Sequence, residues 1–306
     1  MKKLHTSRYY FLDIVRIIAM GMIVWFHIAL TLLLPGNDGL VIPKFYYFSL
    51  GNIGVSIFII LSGLVLQLRY AGAPLELFSF FKSRIVKIYL VYFVSFLFLL
   101  LIRIFKNISY FETVWYSCPE CTLVRSACSV VGICAFFGEW GGPFGRTSWF
   151  IGVILSLYLL YPKLKQWLAH SPTQILFLTL IVSVISRLFI TKLPFLIGTP
   201  LEWFPLNRIF EFTLGMYLAP YFQKSSLASL SFTKASGNFI TLLSALTFPV
   251  FLLHYEFDFL LIQMRLAGYS YLKTISLYLI ISLVVSFLCL FVVNVFEKKQ
   301  KKRSIN

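Results

Sequence analysis

The sequence predicts an all-α polytopic membrane protein, a bundle of about eight (eight to ten) transmembrane helices with both termini cytoplasmic. Three observations predict it. Hydrophobic residues make up 59% of the 306 and charged residues 12%, with a mean hydropathy of +0.86. A soluble domain carries about 25% charged residues, so this polar surface is too small to enclose the apolar content. Apolar stretches also recur at the length of a spanning helix, roughly 20 residues. Finally, the net charge of +16 is gathered at the ends and in alternate loops, which gives it a topological meaning and excludes a nucleic-acid-binding domain.

In chain order the stretches place helices near 10–34, 47–68, 88–105, 148–162, 174–191, 206–222, 238–262 and 273–296. The first follows Lys2, Lys3 and Arg8 and runs on to Leu34 with no small-residue cleavage site. It therefore reads as an uncleaved helix and not a secretory signal. The second ends at Arg69, and the third follows a basic loop at Lys82, Arg84 and Lys87. The fourth is short and the sixth carries Arg208 and Glu211. The seventh contains Pro249, and two shorter segments broken there are the alternative. The eighth precedes Lys298, Lys299, Lys301, Lys302 and Arg303. Residues 126–138 are too short to span and read as re-entrant or interfacial. Residues 1–297 form one integral membrane domain and 298–306 a basic cytoplasmic tail, with no internal repeat and no soluble domain.

The loops test this topology. Segments placed inside hold 16 of the 27 Lys and Arg residues, and segments placed outside hold seven, nearly matched by Asp38, Glu112, Glu120, Glu139 and Glu202. That asymmetry is the one expected when both ends are cytoplasmic and the number of crossings is even. Residues 106–147 then lie outside with Cys118, Cys121, Cys128 and Cys134. Cys118 and Cys121 have the spacing of half a zinc ribbon, but no second pair and no nearby His completes a site. Disulfides or simple thiols are the reading there, and no metal is called for.

An ionisable side chain inside a spanning helix costs a few kcal/mol or more, so it needs a partner, water or a function. The first helix has three: Asp13, Arg16 and His27. Eleven steps of about 100° return Arg16 and His27 to nearly one face, about 16 Å apart along the axis. Asp13 and Arg16 are three apart and can pair. Arg208 and Glu211 have the same spacing and read as an internal ion pair or a substrate-orienting one. His254, followed by Glu256 and Asp258, lines the outer mouth or sits at the interface; Arg187 stands alone in its helix.

These residues also carry a family resemblance. Leu12-Asp13-x-x-Arg16, followed after ten residues by His27, resembles the opening motif of the acyltransferase 3 family of integral membrane acyltransferases. Gly51-x-x-Gly54-Val55-x-x-Phe58-x-x-Leu61-Ser62-Gly63 resembles its second-helix signature, and Lys82-x-Arg84-x-x-Lys87 its basic cytoplasmic loop. Trp149-Phe150 with Tyr158 and Pro162, Arg208-x-x-Glu211-x-x-x-Gly215, and Phe248-Pro249-x-x-x-x-His254 follow in the family's order. The resemblance implies transfer of an acyl group, commonly acetyl, from coenzyme A to a hydroxyl of a sugar or other envelope component in the cell membrane. Arg16 and His27 correspond to the residues tied to activity, and Arg84 and Lys87 to the acyl-CoA-binding pair. Three positions depart from the family: Ile154 where its commonest form has a glutamate, Lys87 in place of Arg, and a short stretch between 191 and 248 where ten helices are usual.

The expected partners are therefore acyl-CoA (acetyl-CoA) as donor substrate, a glycan acceptor and the lipid bilayer. A transporter or flippase for a lipid-linked sugar or small solute, using Arg16 and His27 as its site, is the alternative from another class, together with a catalytically degenerate relative. Visible repeats, common in transporters, are lacking.

Overall fold

The computed structural model describes residues 8–32, 49–72, 74–105, 127–128, 131–133, 146–190, 192 and 201–303. Among them every regular element is helical. The helices are α1 (Tyr10–Leu32), α2 (Leu50–Tyr70), α3 (Leu77–Phe105), α4 (Trp149–His170), α5 (Pro172–Ile190), α6 (Ile209–Lys224), α7 (Lys234–Leu253), α8 (Asp258–Leu266) and α9 (Tyr271–Arg303), with short 3₁₀ turns between some of them. Starts are set locally. The Ser49 hydroxyl accepts from the Asn52 N–H at α2, and the Thr233 hydroxyl accepts from the Ser236 N–H at α7, each filling an orphan donor of the first turn. Pro172 opens α5, where its missing N–H removes nothing.

Six stretches among the described residues are long and apolar enough to cross a membrane: Tyr10–Leu32, Leu50–Tyr70, Leu77–Ile102, Pro172–Ile190, Lys234–Leu266 and Tyr271–Lys299. The protein is thus a multi-pass membrane protein. Of the eight spans expected, the fourth and sixth, α4 and α6, fall outside this set. Helix α6 has only 16 residues, and α4 carries Lys163, Lys165 and Gln166 in its second half; both also turn a face inward. Ile151, Val153, Leu157 and Tyr161 of α4 and Phe212 and Thr213 of α6 have no exposure. Helices enclosed by protein need not be apolar on every face, whereas α5 and α9 turn Phe177, Leu188, Phe287 and Phe291 outward.

Three expectations change. The third helix begins at Leu77, eleven residues before its expected start, so Lys82, Arg84 and Lys87 lie on a helix and not in a loop. Apolar periodicity was too weak to reveal this, because nearly the whole circumference of α3 is apolar beyond its basic turn. The seventh stretch does break, but at the 3₁₀ turn His254–Phe257; Pro249 sits within α7. Helix α9 also continues through Lys298 to Arg303, so the basic tail extends the helix that precedes it. Residues 304–306, most of the 126–138 segment, and Cys118, Cys121 and Cys134 lie outside the described residues.

The packing fixes relative directions. Phe26 meets Gly51, and Ile23 meets Gly54, so α1 and α2 are antiparallel. Ser56 meets Glu211 and Gly63 meets Met216, so α2 and α6 are parallel. Their crossing is the closest in the bundle. A Cβ on Gly63 would lie 2.0 Å from the Phe212 carbonyl oxygen, and one on Gly215 1.9 Å from that of Ile60. Small residues of this kind let membrane helices approach backbone to backbone. Gly215→Val and Gly63→Val are therefore expected to separate α2 from α6 and lower stability by about 3 kcal/mol or more, beyond the usual cost of overpacking. Thermal unfolding of detergent-purified variants checks this, with Gly72→Val, where a Cβ meets nothing within 4 Å, as the neutral control.

Candidate active site

A single carboxylate organises the N-terminal half of α1. Asp13, 5% exposed, accepts from Arg8 Nε at 2.6 Å, from Arg16 Nη1 at 3.0 Å and from the Ser244 hydroxyl at 2.6 Å. Arg16 Nη1 also donates to Ser244 Oγ at 2.9 Å. Arg16 thus pairs with Asp13 as its spacing predicts, and both are tied to α7 through a serine that the sequence did not single out. Nothing in a membrane helix distinguishes such a serine from the many that bond back to their own backbone.

The C-terminal ends of the same two helices hold a second cluster. His27, half-buried on α1, has its ring centroid 5.1 Å from that of His254 and 5.0 Å from that of Tyr255. Thr31, one turn on, donates to Asp258 Oδ2 at 3.2 Å. The Tyr278 hydroxyl of α9 donates to the His254 carbonyl at 3.0 Å. From Arg16 to His27 is eleven residues, and from Ser244 to His254 ten. The α1 and α7 helices therefore run parallel, and the helical repeat that aligns Arg16 with His27 also aligns their partners.

A third cluster lies at the start of α3. Arg84 Nη2 donates to the Tyr70 hydroxyl at 3.0 Å, and its guanidinium lies 5.5 Å from the Tyr70 ring centroid. Arg69 lies 5.4 Å from the other approach to that ring. Lys87 is exposed and within electrostatic reach of Arg84 and Arg69, with Glu297 as the nearby carboxylate. Tyr161 packs beside Tyr70 and donates to the Leu66 carbonyl at 3.1 Å. Tyr158, one turn back on α4, lies within electrostatic reach of both Arg84 and Arg16. A polar tract thus leads from the basic patch into the bundle along one face of α4.

The remaining candidates sit elsewhere. Arg208, 2% exposed, donates from Nη1 to Glu211 at 3.0 Å and to Ser56 at 2.9 Å, and from Nε to the Glu202 carbonyl at 3.1 Å. This ion pair crosslinks α6 to α2. Arg187, solitary in the sequence, donates to the Asn207 carbonyl at 3.1 Å. Ile154 is 3% exposed in the central core. Trp149 is buried and stacks on Trp203, ring centroids 5.5 Å apart. The missed residues, Ser244, Thr31, Tyr70 and Tyr278, all carry hydroxyls whose partners lie outside their own helix.

A helical membrane bundle with a polar seam between two parallel helices, and a basic patch at the opening of a third, is the class of protein these features define. The model of the acyltransferase 3 family, described as an acyltransferase domain, matches residues 9–303, and the chain belongs to that family. Membership supports an acyltransferase embedded in the membrane. Comparisons with curated proteins and with solved structures return no match.

Asp13→Ala leaves Arg16 in the seam without its carboxylate. It is expected to cost about 3 kcal/mol, the scale for removing one partner of a buried ion pair. Arg8→Ala, whose side chain is 44% exposed, should cost no more than about 1 kcal/mol. Thermal unfolding in detergent ranks the two.

Proposed function

We propose that the protein moves an acyl group, acetyl in the first instance, from acyl-CoA to a hydroxyl of a cell-envelope sugar or related glycan. The observation that carries this reading is the pairing of the Arg16 and His27 clusters along one seam, with the Arg84 patch leading toward it. Acyl transfer from a thioester to a hydroxyl needs a base for the hydroxyl proton and donors for the developing negative charge. His27 is the base, since an imidazole titrates near neutral pH. It takes the proton of the acceptor hydroxyl as that oxygen bonds to the acyl carbon, and returns it to the sulfur as the carbon–sulfur bond breaks. Arg16 lies about 16 Å away along α1, so it acts on a different part of the bound pair, as a charge-stabilising or positioning group.

Arg84 and Lys87, joined by Arg69, suit the phosphates of coenzyme A. They gather three positive charges about one tyrosine, with the Glu297 carboxylate within electrostatic reach of Lys87. A patch of one sign raises the local concentration of an anionic substrate. The topology fits a cytoplasmic donor. Counting α4 and α6 as enclosed spans gives an even number of crossings, about eight in all, and leaves both basic ends inside. The expected site is the cell membrane.

The test is mass spectrometry of envelope glycans from cells with and without the protein, where loss of an acetyl increment names donor and acceptor together. At matched expression, His27→Ala and His27→Gln should lower transfer by at least about 100-fold, the usual contribution of a general base. Retention of full transfer by both sinks the reading, and substrate movement across vesicles without acyl-CoA favours a carrier. Arg84→Ala combined with Lys87→Ala should raise KM for acetyl-CoA about tenfold or more, the scale of lost charge-assisted hydrogen bonds, with a smaller change in kcat.

A further inference from the structure

His254 is fully buried at the junction of α7 and the 3₁₀ turn that follows. Its Nδ1 lies 2.9 Å from the Val250 carbonyl oxygen and 3.0 Å from that of Phe251. Both oxygens only accept, so Nδ1 must carry the hydrogen. This fixes the tautomer. Nε2, on the other edge of the ring, is then a bare lone pair, and it has no hydrogen-bond partner among the described residues. A buried acceptor without a partner is costly, and in a native structure it asks for a reason. The ring 5.1 Å away is that of His27.

We infer that His254 is a positioning residue for His27: its Nε2 lone pair orients the His27 ring and stabilises the imidazolium that forms when His27 takes a proton. The inference rests on the reading of His27 as the general base. A neutral imidazole whose one N–H is committed to backbone carbonyls can only accept toward its neighbour. It therefore favours the charged form of that neighbour over the neutral one. Two further contacts hold it in place. The Tyr278 hydroxyl donates to its carbonyl at 3.0 Å, and the Phe251 ring packs 6.3 Å from its own. The other titratable groups around the pair are Tyr255, Glu256 and Asp258 from the segment after His254, and Tyr278 from α9. Phe150 and Thr147 pack against the end of α7 from the α4 side, and Arg16 is the other charged group on this face of α1, about 16 Å distant.

The chain holds four histidines, His5, His27, His170 and His254, so ring-¹⁵N labelling gives a spectrum assignable by replacing each in turn. Full-length protein in lipid nanodiscs should show His254 Nε2 as an unprotonated nitrogen across neutral pH. His254→Asn keeps an N–H at the position of Nδ1 and removes the lone pair at Nε2. It should fold like the wild type and lower the pH at which His27 titrates. Transfer of label from [¹⁴C]acetyl-CoA to the glycan fraction of membrane vesicles should fall about tenfold or more, the scale of a hydrogen bond to a charged group. The acid limb of its pH profile should move to lower pH, because His27 then holds its proton less tightly. His254→Gln, which returns an oxygen acceptor near Nε2, should recover part of the rate and of the limb position.

The inference is overturned by a protonated Nε2 in the wild type. It is also overturned if His254→Asn leaves both the His27 titration and the acid limb in place, whether or not the rate falls. Failure of the underlying reading looks different: His27→Ala then keeps its transfer rate, whatever the spectra of His254 show.

Discussion

One carboxylate, Asp13, bears the charge balance of the Arg16 end of the seam. It accepts from two arginines and a serine within 3.0 Å, and it is nearly out of contact with solvent. Without it the Arg16 guanidinium would stand in a low-dielectric interior with only a hydroxyl to answer it, at a cost of several kcal/mol. Because Ser244 bonds both ions, the same three side chains also set the register of α1 against α7. That register brings His27 beside His254 about three turns further along α1. The ion pair is therefore the structural condition for the pair of rings.

A second polar crosslink, of Arg208, Glu211 and Ser56, does the corresponding work between α2 and α6. Here the backbones are held closer still by Gly63 and Gly215, each of which faces a carbonyl of the other helix. The α2 helix thus has two glycine-lined faces, one against α1 at Gly51 and Gly54 and one against α6 at Gly63. It is the plate to which α1 and α6 are both fastened.

Much of this was legible in the residues, and the limits were physical. The face shared by Arg16 and His27 follows from helical periodicity alone, as does the Arg208–Glu211 pair, because both concern one helix. The partner of Arg187, the place of Ser244 and the stack of Trp149 on Trp203 are contacts between segments far apart in the chain, on which periodicity is silent. Helix α3 was misplaced because a basic turn at the end of an apolar helix has the composition of a loop. Helix α6 falls short of a span at 16 residues, and α4 is diluted by Lys163, Lys165 and Gln166 in its second half. The seventh stretch was read as one helix, with a break at Pro249 as the alternative; the break falls at His254, since proline within a membrane helix is tolerated where neighbours satisfy the freed backbone groups. Family membership was readable as an ordered set of motifs that no single one would have established.

The early start of α3 changes how the basic patch meets an anion. A loop carrying Arg84 and Lys87 would lose backbone freedom on binding, at about 1–2 kcal/mol for each residue ordered. On a helix that entropy has been surrendered during folding, and Arg84 is further restrained by the Tyr70 hydroxyl. What remains to be ordered is mainly the side chain of exposed Lys87. An anion bound there, as the proposed function requires, would meet a rigid surface, and discrimination among anions would rest on the fixed spacing of its charges rather than on their capacity to rearrange.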